Sequence, residues 1–225
     1  MKRAVDMLNQ EQRKQIDRAV VEAEAKTACE IVPVVATASG RYDRAEDVIG
    51  LWLAIITAIA VWLIYPQPAD ELGSWETTSP YIGLMTMIVG ILLAFIIGAV
   101  LGNRIRWLRR LFTPRSQMLD EVALRARQVF FDKRIHHTRD ATGLLIYVSL
   151  FERMAVVLGD QQVVEKLGQP SLDRLCQSLT DRLRQGDMAH AIYSTIADAG
   201  DQLAGPLPKK DGDTNELGDI LILLD

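Results

Sequence analysis

Three carboxylates, Asp140, Glu152 and Asp160, have the strongest claim in this chain to chemistry. A metal-dependent hydrolase holds its ion with converging carboxylates that also position the attacking water, and calcium prefers such oxygen ligands. All three acids fall at loop ends beside apolar, β-rich stretches, where neighbouring strands can bring them together. Each also has a structural use: Asp160 as a helix cap, Glu152 as a hairpin-turn residue, Asp140 as a solvated loop acid.

Other candidate motifs are weaker. Asp211-Gly-Asp213-Thr-Asn215-Glu216 begins like a calcium loop, but Glu216 stands where an EF-hand needs glycine and Ile222 where it needs the closing glutamate. His136 and His137 are adjacent, so on a helix or strand their rings diverge and make a poor chelating pair. Cys29 and Cys176 stand far apart in apolar surroundings, which reads as two buried free thiols rather than a disulfide or zinc site. The chain contains no nucleophile elbow, phosphate-binding glycine loop or dinucleotide fingerprint. A formal net charge of −4 in 225 residues argues against a dedicated nucleic-acid partner, because no domain-wide basic excess exists to neutralise phosphates.

The elements that must position these residues surround two uncharged apolar runs. Val48 to Tyr65 gives 18 residues and Tyr81 to Gly102 gives 22 without a formal charge, against the roughly 20 needed to cross the hydrocarbon core. Both are apolar on every face, unlike the amphipathic helices of a soluble core, so they predict a transmembrane hairpin. Neither contains an acidic or basic residue, which argues against proton translocation or transport. Gly50, Ala54 and Ala58 in the first run, and Gly90, Ala94, Gly98 and Gly102 in the second, recur every four residues. Small residues at this spacing let helix backbones approach closely within the hairpin, and the same residues suit self-association.

The intervening loop, residues 66–80, carries Asp70, Glu71 and Glu76 and no lysine or arginine, whereas Arg104, Arg106, Arg109, Arg110 and Arg115 follow the second run. The positive-inside rule places the loop outside and both termini in the cytoplasm, with the first four arginines set against anionic lipid headgroups. Tyr65, Trp75 and Tyr81 fit the outer interface, and Trp52 and Trp107 the inner one. The N-terminal residues 1–9 lack the apolar core of a signal peptide, so the first run serves as the first insertion signal.

With residues 48–102 set aside, roughly 170 residues remain, enough for one interrupted soluble domain made of residues 1–47 and 103–207, followed by a tail, 208–225. In its first part, Asn9 and Gln12 form a capping-box pattern ahead of an amphipathic helix, and the β-branched stretch Cys29 to Thr37 reads as a strand. Pro33 predicts an edge or a bulge, because proline cannot donate to a ladder. Residues 41–47 predict a charged helix running unbroken into the first span. In the second part, Met118 to Phe130 traces an amphipathic helix, and Leu144 to Phe151 with Met154 to Leu158 reads as an antiparallel hairpin turning at Glu152-Arg153. Three helices follow, with Asp160 and Asp187 as caps for the first and last. The apolar end of the tail, Ile220 to Leu224, reads as a late strand or a packed strip.

The order of these elements resembles the TPM-domain family. The resemblance is carried by Leu8-Asn-Gln-Glu11, by the helix ending Glu22-Ala-Glu24 before Glu30-Ile31-Val32, and by Gly143-Leu-Leu-Ile-Tyr-Val148, Glu152-Arg153 and Leu158-Gly159-Asp160. It covers the soluble parts on both sides of the hairpin. It implies an α/β (α+β) sandwich with a small central sheet flanked by helices, here interrupted by the two-helix hairpin, as in a bacterial branch of membrane proteins. Plant relatives are described as thylakoid-lumen proteins of photosystem repair with weak acid-phosphatase activity, and calcium binding is described in the family. Two motifs differ here: Phe151-Glu152-Arg153 replaces the usual Asp-Asp-Arg, and Leu158-Gly159-Asp160 replaces Gly-x-Gly. The expected function is a non-enzymatic, membrane-anchored domain that engages or helps maintain other membrane proteins. The alternative is a weak calcium-dependent phosphatase using Glu152 and Asp160.

Overall fold

The computed structural model describes residues 3–64, 80–105, 110–209, 216–218 and 220–225. The chain forms two compact units, one of Met1–Gly40 with Ser116–Asp225 and the other of Arg41–Arg115.

In the first unit, α1 (Ala4–Met7) is a single turn and α2 spans Gln10–Glu24. The Asn9 side chain accepts from the Gln12 backbone N–H at 2.8 Å while the Gln12 side chain accepts from the Asn9 N–H at 2.9 Å, the reciprocal capping box of the sequence. Strand β1 (Glu30–Ala36) follows, and after the inserted second unit come α5 (Arg115–Asp132), β2 (Gly143–Ser149) and β3 (Met154–Gly159). The chain closes with α6 (Gln161–Leu167), α7 (Gln169–Arg184), α8 (Met188–Ala204) and the short β4 (Ile222–Leu224).

The four strands form one sheet in the order β3-β2-β1-β4, with β1 parallel to both β2 and β4 and β3 antiparallel to β2. Strand period sorts the side chains onto two cores. Ile31, Val35, Leu144, Ile146 and Val148 pack with residues of α2, α7 and α8, including Ile16, Leu172, Leu179, Ile192 and Ile196. Val32, Val34, Ala36, Leu145 and Tyr147 pack on the other face with Val122, Ala126, Val129 and Phe130 of α5. A central sheet buried on both faces explains why β1 and β2 read as continuous apolar runs rather than alternating ones. It also explains Gly200: α2 and α8 approach so closely that a Cβ there would lie 2.7 Å from Ala23 Cβ.

Pro33 lies in a central strand, which corrects the edge or bulge expected of it. The reason lies in the two sides of β1. The Glu30 N–H donates to Thr142 O toward β2, and the Thr37 N–H donates to Leu224 O toward β4. Successive N–H groups alternate, so positions 31, 33, 35 and 37 face the β4 side. Strand β4 pairs only from Val34 onward, and below that point the Glu24 carboxylate accepts the Ile31 N–H at 2.8 Å. Proline therefore occupies the one step between side-chain cap and strand partner, where no donor is required.

The second unit consists of α3 (Asp43–Ile64) and α4 (Pro80–Arg104). Helix α3 continues without a break from the charged residues 43–47 into the first apolar run. Stretches Glu46–Ile64 and Tyr81–Gly102 are long and apolar enough to cross a membrane, and only 17% and 11% of them are buried. A soluble core helix pair would bury most of its surface, so these helices have the surface composition of bilayer spans. In chain order this unit interrupts the crossover from β1 through α5 to the parallel strand β2.

Candidate functional site

The helices of the second unit meet along their small residues. A Cβ on Gly98 would lie 2.7 Å from Gly50 Cα, and a Cβ on Gly50 would lie 2.9 Å from the Phe95 carbonyl oxygen. A Cβ on Gly102 would lie 3.1 Å from both Glu46 Cα and Ile49 Cδ1, and Ala54 and Ala94 are buried nearby in sequence along the same stripes. Gly90 is looser, with Thr57 Cγ2 at 3.6 Å, and Ala58 is half-buried. The opposite faces present Leu51, Ile55, Ile59, Leu84, Ile88 and Ile96 outward, all exposed. Small residues inside and large apolar residues outside suit a hairpin solvated by lipid. Trp52 and Tyr81 are exposed near opposite ends of the pair. Arg104, the last residue of α4, is exposed and Arg110 is half-buried. Arg106, Arg109, Trp107, Tyr65, Trp75 and the loop acids Asp70, Glu71 and Glu76 lie outside the described residues.

In the first unit, the β2–β3 turn places Glu152 at the carboxyl end of β2. The residue is 1% exposed. Its Oε1 accepts the backbone N–H of Ser39 at 2.9 Å and that of Gly40 at 3.3 Å, and its Oε2 accepts the Ser149 hydroxyl. Ser39 Oγ donates to Ser149 Oγ at 2.9 Å and lies 2.9 Å from the Tyr147 hydroxyl. Burial raises the Tyr147 pKa and the Glu152 charge adds to the rise, while the Ser39 hydrogen bond and Arg125 oppose it. The turn residue Arg153 takes a positive φ of 54°, which lets the tight connection close behind Glu152. Glu152 thus latches the segment that leaves β1, just before the chain enters the second unit.

Asp140 and Asp160 stand at the other end of the sheet. Asp140 precedes β2 and Asp160 follows the antiparallel β3, whereas Glu152 lies beyond the far end of β2. Seven residues of strand at ~3.3 Å each separate the two groups by about 20 Å. The three carboxylates therefore do not converge on one ion, which corrects the metal set expected for them, and among the described residues no cluster of histidine, cysteine and acidic side chains has metal-binding geometry. The antiparallel hairpin expected from the sequence itself puts Glu152 at the turn and leaves Asp140 and Asp160 at the open end.

Asp160 Oδ1 caps α6 by accepting the Gln161 N–H at 2.8 Å, while Oδ2 is shielded without a hydrogen-bond partner among the described residues. His136 rests against the Phe131 ring at 4.7 Å between centroids, and its Nδ1 is buried without a partner among the described residues. Cys29 is buried and Cys176 half-buried, both as free thiols. Asp211, Asp213 and Asn215 lie outside the described residues, and Glu216 accepts the Arg139 N–H at 2.9 Å.

Sequence reasoning missed the structural work of two further acids. Glu24 caps the open half of β1, and Glu30 accepts the backbone N–H groups of Glu216 and Leu217 at 3.2 and 3.3 Å, fixing the tail that leads to β4. The Glu30 pairing spans most of the chain, and the Glu24 pairing depends on how the chain turns between α2 and β1, so neither leaves a local pattern.

No family model matches this chain, and no curated protein does. Among solved structures it is similar to the NMR structure of BA42 protein from the psychrophilic bacterium Bizionia argentinensis, with 18% identity, 99% of each chain covered and a TM-score of 0.57. That likeness is one of fold.

Proposed function

We propose that this protein is a two-span, bilayer-anchored domain of the TPM type, held at the cytoplasmic face of the inner membrane, where it acts without catalysis by engaging other membrane proteins. The observation that carries the reading is the α3–α4 pair, which turns its glycines and alanines inward and its large apolar side chains outward. Water would penalise such a surface by about 25 cal/mol for each Å² of apolar area, and lipid does not. The arginine-rich segment after the second span and the acidic loop between the spans support cytoplasmic termini and contact of Arg104, Arg106, Arg109 and Arg110 with anionic headgroups.

The TPM assignment is supported by where its motifs fall. Gly143 to Val148 lies within β2, Glu152-Arg153 makes the β2–β3 turn, and Leu158-Gly159-Asp160 makes the junction of β3 with α6. The phosphatase alternative asks Glu152 and Asp160 to act together from opposite ends of the sheet, while their contacts make one a latch and the other a cap.

Two experiments test the proposal. After alkaline carbonate extraction the chain should stay in the membrane pellet, and crosslinking in native membranes should join it to integral membrane proteins. Release into the soluble fraction, or calcium-dependent hydrolysis of a generic phosphate ester by the purified protein, would overturn it.

A further inference from the structure

The first unit contains a cleft of about 530 Å³ at the amino ends of β1 and β2, within the ordinary size range of small-molecule sites. Its walls come from four separate places: Ala28 ahead of β1, the 139–142 loop, α6, and the segment after α8. Hydrogen bonds stitch these walls together. The Thr142 hydroxyl donates to Ala28 O at 2.8 Å, the Ala28 N–H donates to Leu207 O at 2.9 Å, and the Gln162 N–H donates to Ala141 O at 3.1 Å. A cleft held this way is formed before any ligand arrives, which lowers the ordering cost of binding. Ala141, in its lining, adopts a positive φ of 54°, a conformation that costs a non-glycine residue energy and that gathers at functional sites.

The chemistry of the rim is asymmetric. Arg139 stands on one wall and Lys166 on another, and neither forms an ion pair among the described residues. Asp140 is the acid of the lining. Pro206, Leu207 and Pro208 supply an apolar wall. The opposite, carboxyl end of the parallel strands is taken up by the Glu152 latch.

We propose that this cleft binds a small organic carboxylate, its charged group held by Arg139 and Lys166 and its apolar body laid against the wall from Pro206 to Pro208. A guanidinium fork matches a carboxylate in two parallel bonds, and an ammonium on the facing wall adds a point charge. This role goes beyond membrane anchoring and does not depend on it, because every residue involved belongs to the first unit.

Saturation-transfer NMR on the full chain in lipid nanodiscs tests the proposal, with benzoate as probe, benzamide as its neutral isostere, and empty nanodiscs subtracted. Benzoate should bind saturably, benzamide at least about tenfold more weakly, and Arg139→Gln and Lys166→Gln should each weaken benzoate by about tenfold, as expected for loss of a charged hydrogen bond. Both side chains are exposed, so the variants should fold, and an unchanged circular dichroism melt confirms it. Equal binding of benzamide, unchanged affinity in both variants, or no saturable binding of benzoate below about 10 mM would overturn the proposal.

Discussion

Gly98 packs against Gly50 so closely that a Cβ on Gly98 would lie 2.7 Å from the Gly50 Cα, a separation real Cβ atoms do not show. A Cβ on Gly90, two turns earlier on the same helix, would meet Thr57 Cγ2 at an ordinary 3.6 Å. The pair therefore predicts opposite outcomes for one chemical change. Gly98→Ala should destabilise the helix pair by about 1–3 kcal/mol through overpacking, while Gly90→Ala should stay within about 0.5 kcal/mol. Reversible SDS-induced unfolding in mixed micelles measures both, and equal effects would mean that the small-residue stripe is composition rather than interface.

Glu24 gives a second test. Its carboxylate satisfies the Ile31 N–H on the part of β1 that β4 does not reach. Glu24→Gln keeps an acceptor and should be mild, whereas Glu24→Leu strands a buried donor and should cost about 1–3 kcal/mol. Hydrogen exchange at the Ile31 amide should rise in the leucine variant ahead of the rest of β1.

The Glu152 latch should behave similarly at the other end. Glu152→Leu removes the acceptor for Ser39, Gly40 and Ser149 and should destabilise the first unit by about 2–4 kcal/mol, with the fastest exchange gain at Ser39 and Gly40. If those amides stay protected, the carboxylate does not hold the segment.

Alkaline pH provides a fourth. Burial pushes the Cys29 thiol well above its ordinary 9.0, and the charges of Glu24, Glu30 and Asp160 add to the effect. The folded state keeps this proton after the unfolded state has lost it, so the contribution is fully present below the unfolded pKa and disappears as pH rises through the folded value. Melting temperature should therefore hold up to about pH 8.5 and then fall, and Cys29→Ala should flatten that fall. The same shift makes Cys29 inert toward maleimide in the native protein at neutral pH.

Local chemistry was readable from the sequence wherever neighbours in the chain are neighbours in space. Asn9 and Gln12 announced the start of α2, Asp160 and Asp187 capped helices as their positions suggested, and the short Glu152-Arg153 connection required an antiparallel hairpin. The unbroken helix from the charged residues 43–47 into the first span followed from the lack of any breaker. Helix α1 was missed because four residues are too few to show a period. Pro33 misled because an edge was inferred from one missing donor, while Glu24, nine positions earlier, and β4 at the chain's end share the work on that side. The carboxylates share loop positions but not one end of the sheet: the antiparallel hairpin, itself legible in the sequence, sets Glu152 at its turn and Asp140 and Asp160 at its open end. The cleft, assembled from residues 28, 139–142, 162–166 and 206–208, has no contiguous signature at all.

The central claim is that α3 and α4 cross a bilayer with the α/β unit inside the cell. Labelling with a membrane-impermeant maleimide in intact cells tests it directly, using Glu76→Cys in the loop and Arg184→Cys at the exposed end of α7 in a background where Cys29 is buried and Cys176 half-buried. The account predicts that Glu76→Cys is labelled before lysis and Arg184→Cys only after it. Labelling of both positions alike, or of Arg184→Cys first, would contradict it.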